Sequence, residues 1–140
     1  MALADIVGTL PLHVSGGQSD ACSSLLEPYT CLEERPLITF EKTIMVPVTT
    51  IDAWAQTHQI PTLDFLWLDL QGAELLALQG ATRMLKTVKA ILIEINLTER
   101  YKNAPLYTDI TSFLVSHGFT LDTEALHHET WGDALFIKAV

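Results

Sequence analysis

The sequence predicts a single α/β domain over residues 1–140, built on a mostly parallel sheet with helices on both faces and a C-terminal antiparallel hairpin. Three observations carry that expectation. The apolar runs Phe65 to Asp69 and Ala90 to Ile95 are of strand length and lack polar alternation, as strands buried on both faces do. Segments of helical period separate them, so the order from Asp64 onward reads strand, helix, strand, helix, strand, strand. The chain is 49% hydrophobic with a mean hydropathy of +0.27, high enough to require that apolar surface be packed against other elements.

The elements follow in order. Thr9 to Val14 alternates weakly as a strand, and Pro11, which has no N–H to donate, confines it to a sheet edge. SGGQSDACSS has loop composition, and Leu37 to Val46, rich in Ile, Thr, Phe and Val, reads as the next strand. Thr49 or Thr50 caps a short helix over IDAWAQTHQ, with Asp52 in its first turn and Pro61 beyond its end. After the strand at Phe65 to Asp69, Ala73 to Leu85 is helical, because Leu75, Leu78, Ala81 and Leu85 share one apolar arc. Ala90 to Ile95 is a second buried strand. Leu106, Ile110, Phe113 and Leu114 mark an amphipathic helix that Gly118 ends. Phe119 to Leu121 begins a strand whose hairpin partner is Ala134 to Lys138.

Charge and cysteine usage exclude several functions. A formal charge of −9, from 8 basic and 17 acidic residues, disfavours nucleic acid and anionic membrane as partners. No apolar run approaches the roughly 20 residues of a membrane span, and MALADIVGTL lacks the cationic start of a secretory signal, so a cytoplasmic protein is expected. Cys22 and Cys31 read as free thiols, and no CxxC, HExxH or zinc-like cluster predicts a metal. SGGQS lacks the lysine and spacing of a phosphate loop and reads as a turn. His127 and His128, adjacent, are a poor chelate and read as solvated hairpin residues, while Trp54, Trp67 and Trp131 read as core.

The stretch WLDLQGAELLALQGA, from Trp67 to Ala81, breaks this apolar texture with an acid, a glycine and a second acid. Ligands of open parallel sheets sit beyond the carboxyl ends of the strands. Asp69 closes one strand and Glu94 lies one residue from the finish of the other, which makes them the candidate catalytic residues. Gly72 allows a tight turn, and Glu74 falls in the first turn of the helix, where the macrodipole favours negative charge. Each acid also has a structural reading: Asp69 capping the turn, Glu74 stabilising the helix start, Glu94 satisfied by backbone donors.

At DFLWLDLQGAELLALQGA the sequence resembles the signature of the FkbM-type methyltransferases, an apolar strand followed by D-x-Q-G-A-E and then L-x-x-L-x-G-A. ALADIVGTLPLHV, SSLLEP, VTTIDAW, AILIEIN and GDALFIKA resemble further segments of that family, so the likeness covers nearly the entire chain. The resemblance implies a Rossmann-like methyltransferase sheet, S-adenosylmethionine as methyl donor and a small-molecule or sugar oxygen as acceptor. The family's N-terminal half, with a glycine-rich donor loop and an acid for the ribose, has no counterpart here, so the expected sheet is partial and the cofactor-binding residues are unassigned. The expected partner is therefore that missing half or a second copy of the chain, covering an otherwise unpaired strand edge.

Methyl transfer to oxygen depends on aligning the acceptor and on a base for its proton, and an ordinary carboxylate is a weak base toward an alcohol. Asp69 is accordingly expected to act chiefly by positioning, with Glu94 beside it. The alternative is a non-catalytic module for binding or oligomerisation, derived from a methyltransferase. A third reading gathers Asp69, Glu74 and Glu94 around a hard cation.

Overall fold

A computed structural model describes residues 1–139. The strands are β1 (Ala2–Leu3), β2 (Gly8–Gly17), β3 (Ile38–Thr49), β4 (Phe65–Leu68), β5 (Ala90–Asn96), β6 (Phe119–Leu126) and β7 (Trp131–Lys138). The helices are α1 (Cys31–Glu34), α2 (Ile51–Thr57), α3 (Glu74–Gln79) and α4 (Tyr107–Ser116), with a single 3-10 turn at Met84–Lys86. The order from β4 to β7 is the one the sequence predicts.

The sheets are mixed, which corrects the expectation of a mostly parallel one. One has the order β1-β3-β2, with β1 parallel and β2 antiparallel to β3; β2, which carries Pro11, is indeed an edge. The other has the order β4-β5-β7-β6, and only its β4–β5 pair is parallel. Burial explains why the last strand enters the middle. Along β7, Gly132, Ala134 and Phe136 alternate as buried positions, whereas β6 buries Phe119 alone and suits an edge.

Helices α2, α3 and α4 pack on one face of this sheet. Ile91, Ile93 and Ile95 of β5 are fully buried, and the residues beside them in register, Leu68, Ala134 and Phe136, share that face. Ile51 and Ala55 of α2, Ala77 and Leu78 of α3, and Ile110 and Leu114 of α4 all join the same cluster. The other face presents Phe65, Trp67, Leu92, Leu135 and Ile137 at one end, where Phe65 is 51% exposed and Trp67 71%, so Trp67 is not a core residue. At the other end Glu94 and Asn96 are buried beneath Arg100, which Glu34 of α1 holds. A smaller cluster of Cys31, Tyr101 and Ala104, with Leu26 and Phe40, joins the β2–β3 region to the segment after β5.

Local chemistry sets the helix ends. Thr50 caps α2 by accepting the Ala53 N–H at 3.0 Å. The helix expected over Ala73 to Leu85 is interrupted after Gln79: a Cβ on Gly80 would lie 2.4 Å from the Ala4 carbonyl oxygen, so the backbone passes β1 too closely for any other residue. The chain resumes as the 3-10 turn, which begins on the Asp52 carboxylate: Oδ2 accepts from Arg83 N at 2.8 Å and Oδ1 from Met84 N at 2.9 Å. Among the described residues no helix is long and apolar enough to cross a membrane.

Candidate functional site

The link from β4 to α3 is a five-residue turn, Asp69 to Ala73, that reverses direction through two left-handed residues, Gln71 at φ 51° and Gly72 at φ 97°. Glycine is required at the second because a Cβ there would press on Tyr101 at 3.2 Å and Ala104 at 3.3 Å. Glu74, the first residue of α3, folds its carboxylate back over this turn, and Oε1 accepts from Leu70 N at 2.8 Å and Gly72 N at 3.2 Å. The carboxylate thus holds the turn that leads into α3, whereas its sequence position predicts a stabiliser of the helix's own first turn.

Asp69 stands exposed at the carboxyl end of β4, as its sequence position predicts. It does not cap the turn through a backbone donor; its Oδ1 accepts instead from the Gln71 side-chain Nε2 at 2.7 Å. Asp69 lines a cleft of about 300 Å³ with Leu12, Ser23, Ser24, Leu25 and Leu70 among its walls. Glu94 is buried in β5 and does not reach this cleft, in contrast to the expectation of an acid facing it. Its donors are side chains rather than backbone: Gln71 Nε2 at 3.3 Å and Arg100 NH1 at 3.5 Å.

The three acids nonetheless converge, with carboxylate oxygens of Asp69, Glu74 and Glu94 within 4.8 Å of one another. Burial pushes Glu74 up to about 7 against the two backbone N–H donors that favour its charged form. Burial, reinforced by the charges of Glu74 and Asp69, pushes Glu94 up to about 8 despite the nearby Arg100 guanidinium. Arg100 is itself almost fully buried and divided among Glu34 at 2.9 Å, Glu94 and Asn96 at 3.3 Å, with the Trp131 ring 5.4 Å from its guanidinium carbon. Donors already occupy the cluster, since Gln71 bridges Asp69 and Glu94 and backbone N–H groups hold Glu74. One oxygen each of Asp69 and Glu74 is held by these donors, and the other accepts no hydrogen bond among the described residues.

Sequence reasoning missed Gln71, Arg100 and Tyr101 as members of this network. Nothing in INLTERYKN marks Arg100 and Tyr101 as the buried ones among polar neighbours, because the segment has neither helical nor strand period. Ser24 is a quieter omission: its hydroxyl donates to the Gln71 carbonyl at 2.7 Å and ties the first sheet to the turn. Cys22 and Cys31 are free thiols, as expected, and both are buried. His127 lies exposed in the β6–β7 turn, 2.7 Å from Asp133, and His128, also exposed, lies 2.9 Å from Thr130.

A family model described as the methyltransferase FkbM domain matches residues 4–121, which takes in Asp69, Glu74, Glu94, Arg100 and Tyr101 and stops short of β7. A curated relative, 2-O-methyltransferase NoeI of Sinorhizobium fredii (strain NBRC 101917 / NGR234), is 28% identical over 107 residues, or 73% of this chain. The aligned region is 44% of that relative, so the chain spans less than half its length. No solved structure matches the chain significantly.

Proposed function

The chain belongs to the FkbM methyltransferase family, and from that membership we propose that it supplies the acceptor side of an S-adenosylmethionine-dependent O-methyl transfer to a small molecule or sugar. The observation that carries this reading is the position of Asp69, exposed at the carboxyl end of β4 on a cleft walled by leucines and two serines. Asp69 orients the acceptor hydroxyl and accepts its proton through the oxygen that Gln71 leaves free. Glu94, with a pKa raised to about 8, retains its proton at neutral pH and serves this site by engaging Gln71 and Arg100 rather than as a second base. The relative's name, 2-O-methyltransferase, agrees with an oxygen acceptor.

The described residues do not fit the donor. A cradle for a phosphoribosyl or methionine group needs glycines with open space in front of them. A Cβ at Gly17 would meet Leu37 O at 2.4 Å, at Gly80 Ala4 O at 2.4 Å, and at Gly132 Ala125 O at 2.3 Å, so these glycines are filled by the chain's own backbone. Gly8, Gly16 and Gly118 do have free space in front of them, but the first two lie within β2 and the third leads from α4 into β6, so none joins a strand to a following helix. Gly72, which does, is closed by Tyr101 and Ala104. That misfit favours a second reading, a binding or oligomerisation module derived from a methyltransferase.

Isothermal calorimetry of the full chain with S-adenosylmethionine separates the two. Saturable heat supports the transferase reading, and its absence supports the module. Where transfer is measured, Asp69→Asn is expected to lower turnover by about a hundredfold or more while sparing donor affinity. Near-normal turnover would remove Asp69 from the proposal.

A further inference from the structure

Gln71 is held from four directions. Its backbone adopts φ 51°, a left-handed conformation that side chains seldom take, and its carbonyl accepts the Ser24 hydroxyl at 2.7 Å. Its Nε2 donates to Asp69 Oδ1 at 2.7 Å and Glu94 Oε2 at 3.3 Å, and its Oε1 lies 3.0 Å from the Tyr101 hydroxyl.

The direction of the carboxamide follows from this inventory. Reversed, it would set its carbonyl oxygen 2.7 Å from a carboxylate oxygen, two acceptors facing each other. In the observed direction the carbonyl end needs a donor, and the Tyr101 hydroxyl supplies it, sharing its one proton with the Cys22 carbonyl, also at 3.0 Å. Burial raises the Tyr101 phenol far above its ordinary value, so it remains a donor at any pH at which the chain stays folded.

Asp69 has little else to fix it. It is exposed, and Gln71 is its hydrogen-bond partner among the described residues. An unrestrained exposed aspartate would exchange among its staggered rotamers, and a carboxylate spread over three directions is a poor template for one hydroxyl.

We propose that Gln71, its carboxamide oriented by Tyr101, is the positioning residue of the site: it fixes the Asp69 carboxylate in one rotamer and presents the second oxygen to the cleft. The proposal rests on the reading of Asp69 as the acceptor-facing group. It assigns a site role to a residue to which the sequence gives none beyond its place in the D-x-Q-G-A-E stretch, and it explains why a glutamine adopts a left-handed conformation next to a glycine.

The test measures the Hα–Hβ scalar couplings of Asp69 by nuclear magnetic resonance in the full chain, in Gln71→Met and in Tyr101→Phe. Methionine keeps the length of glutamine without its donor, and phenylalanine keeps the ring beneath Gly72 without the hydroxyl. The expected result is a single Asp69 rotamer in the natural chain, averaging among rotamers in Gln71→Met, and partial averaging in Tyr101→Phe. A rotamer already averaged in the natural chain overturns the proposal, as does one unchanged in both variants with the fold retained. Should Gln71→Met not fold, Tyr101→Phe decides alone. Calorimetry with S-adenosylmethionine on the same samples keeps the two ideas apart: absence of heat removes the transferase reading and leaves the rotamer result standing, whereas heat with an averaged Asp69 removes Gln71 from its role and leaves the transferase reading.

Discussion

At the scale of the residue, the chain keeps two carboxyl groups where water cannot reach them, and the consequence is a pH-dependent stability of unusual sign. Glu74 and Glu94 rise from 4.5 to about 7 and about 8 in the folded state, chiefly through burial. The folded chain therefore holds protons that the unfolded chain has released, and stability falls as pH rises from the unfolded value toward the folded ones, levelling off above them. Glu74→Gln preserves an acceptor for Leu70 N and Gly72 N but has nothing to ionise. It is expected to raise stability near pH 8 by on the order of 1–3 kcal/mol and to flatten the decline between about pH 5 and about pH 8. Urea unfolding at the two pH values measures it, and an equal slope in both proteins would show that Glu74 is not the group responsible. The sequence placed Asp69 and Glu94 near one sheet end, since strand boundaries are legible in apolar runs. It could not show that Glu94 turns inward to Arg100, because that depends on a partner six residues away in an aperiodic segment.

At the scale of the element, periodicity gave the location of the helix after β4 but not its continuity. Leu78, Ala81, Met84 and Leu85 are all buried, so the apolar arc persists across the interruption at Gly80 and cannot reveal it. What permits the interruption is Asp52, which the sequence marks only as a first-turn acid of α2. Its two oxygens take the N–H groups of Arg83 and Met84, and the Arg83 side chain returns a bond to its carbonyl at 3.0 Å. Asp52→Ala is expected to lower stability by about 1–2 kcal/mol, the worth of a capping carboxylate that serves a second helical segment. Denaturant unfolding checks it, and a change within experimental error would mean that water replaces the cap. The same logic accounts for β7: its hairpin with β6 was legible, but which of the two strands enters the sheet depends on which can be buried.

At the scale of the molecule, one face of the sheet is covered by α2, α3 and α4, and the other is covered only where Arg100 closes over Glu94 and Asn96. Trp67 at 71% exposure and Phe65 at 51% stand on the strand whose outer edge has no partner among the described residues. Such a face is expected to bind a hydrophobic reporter dye strongly in the folded state, and Trp67→Lys should abolish most of the fluorescence gain while leaving the melting temperature nearly unchanged. Weak dye binding by a folded natural chain, or equal binding by the variant, would show that this face is closed in solution. High mean hydropathy announced excess apolar surface, yet composition has no geometry and could not say that it lies on one side of β4 and β5.

The sequence by itself determined the α/β class, the order of elements from β4 to β7, a threonine cap at Thr49 or Thr50, the acids at the strand ends and the family signature around Asp69. These are properties of local period and spacing, and local physics is sufficient to write them into a chain. Only the tertiary structure decided the mixed strand order, the face that Phe65 and Trp67 leave exposed, the break at Gly80 and the network from Tyr101 through Gln71 to Asp69. Each of these depends on contacts between residues distant in sequence, where the winning arrangement is set by burial and by which donors and acceptors meet when the elements pack.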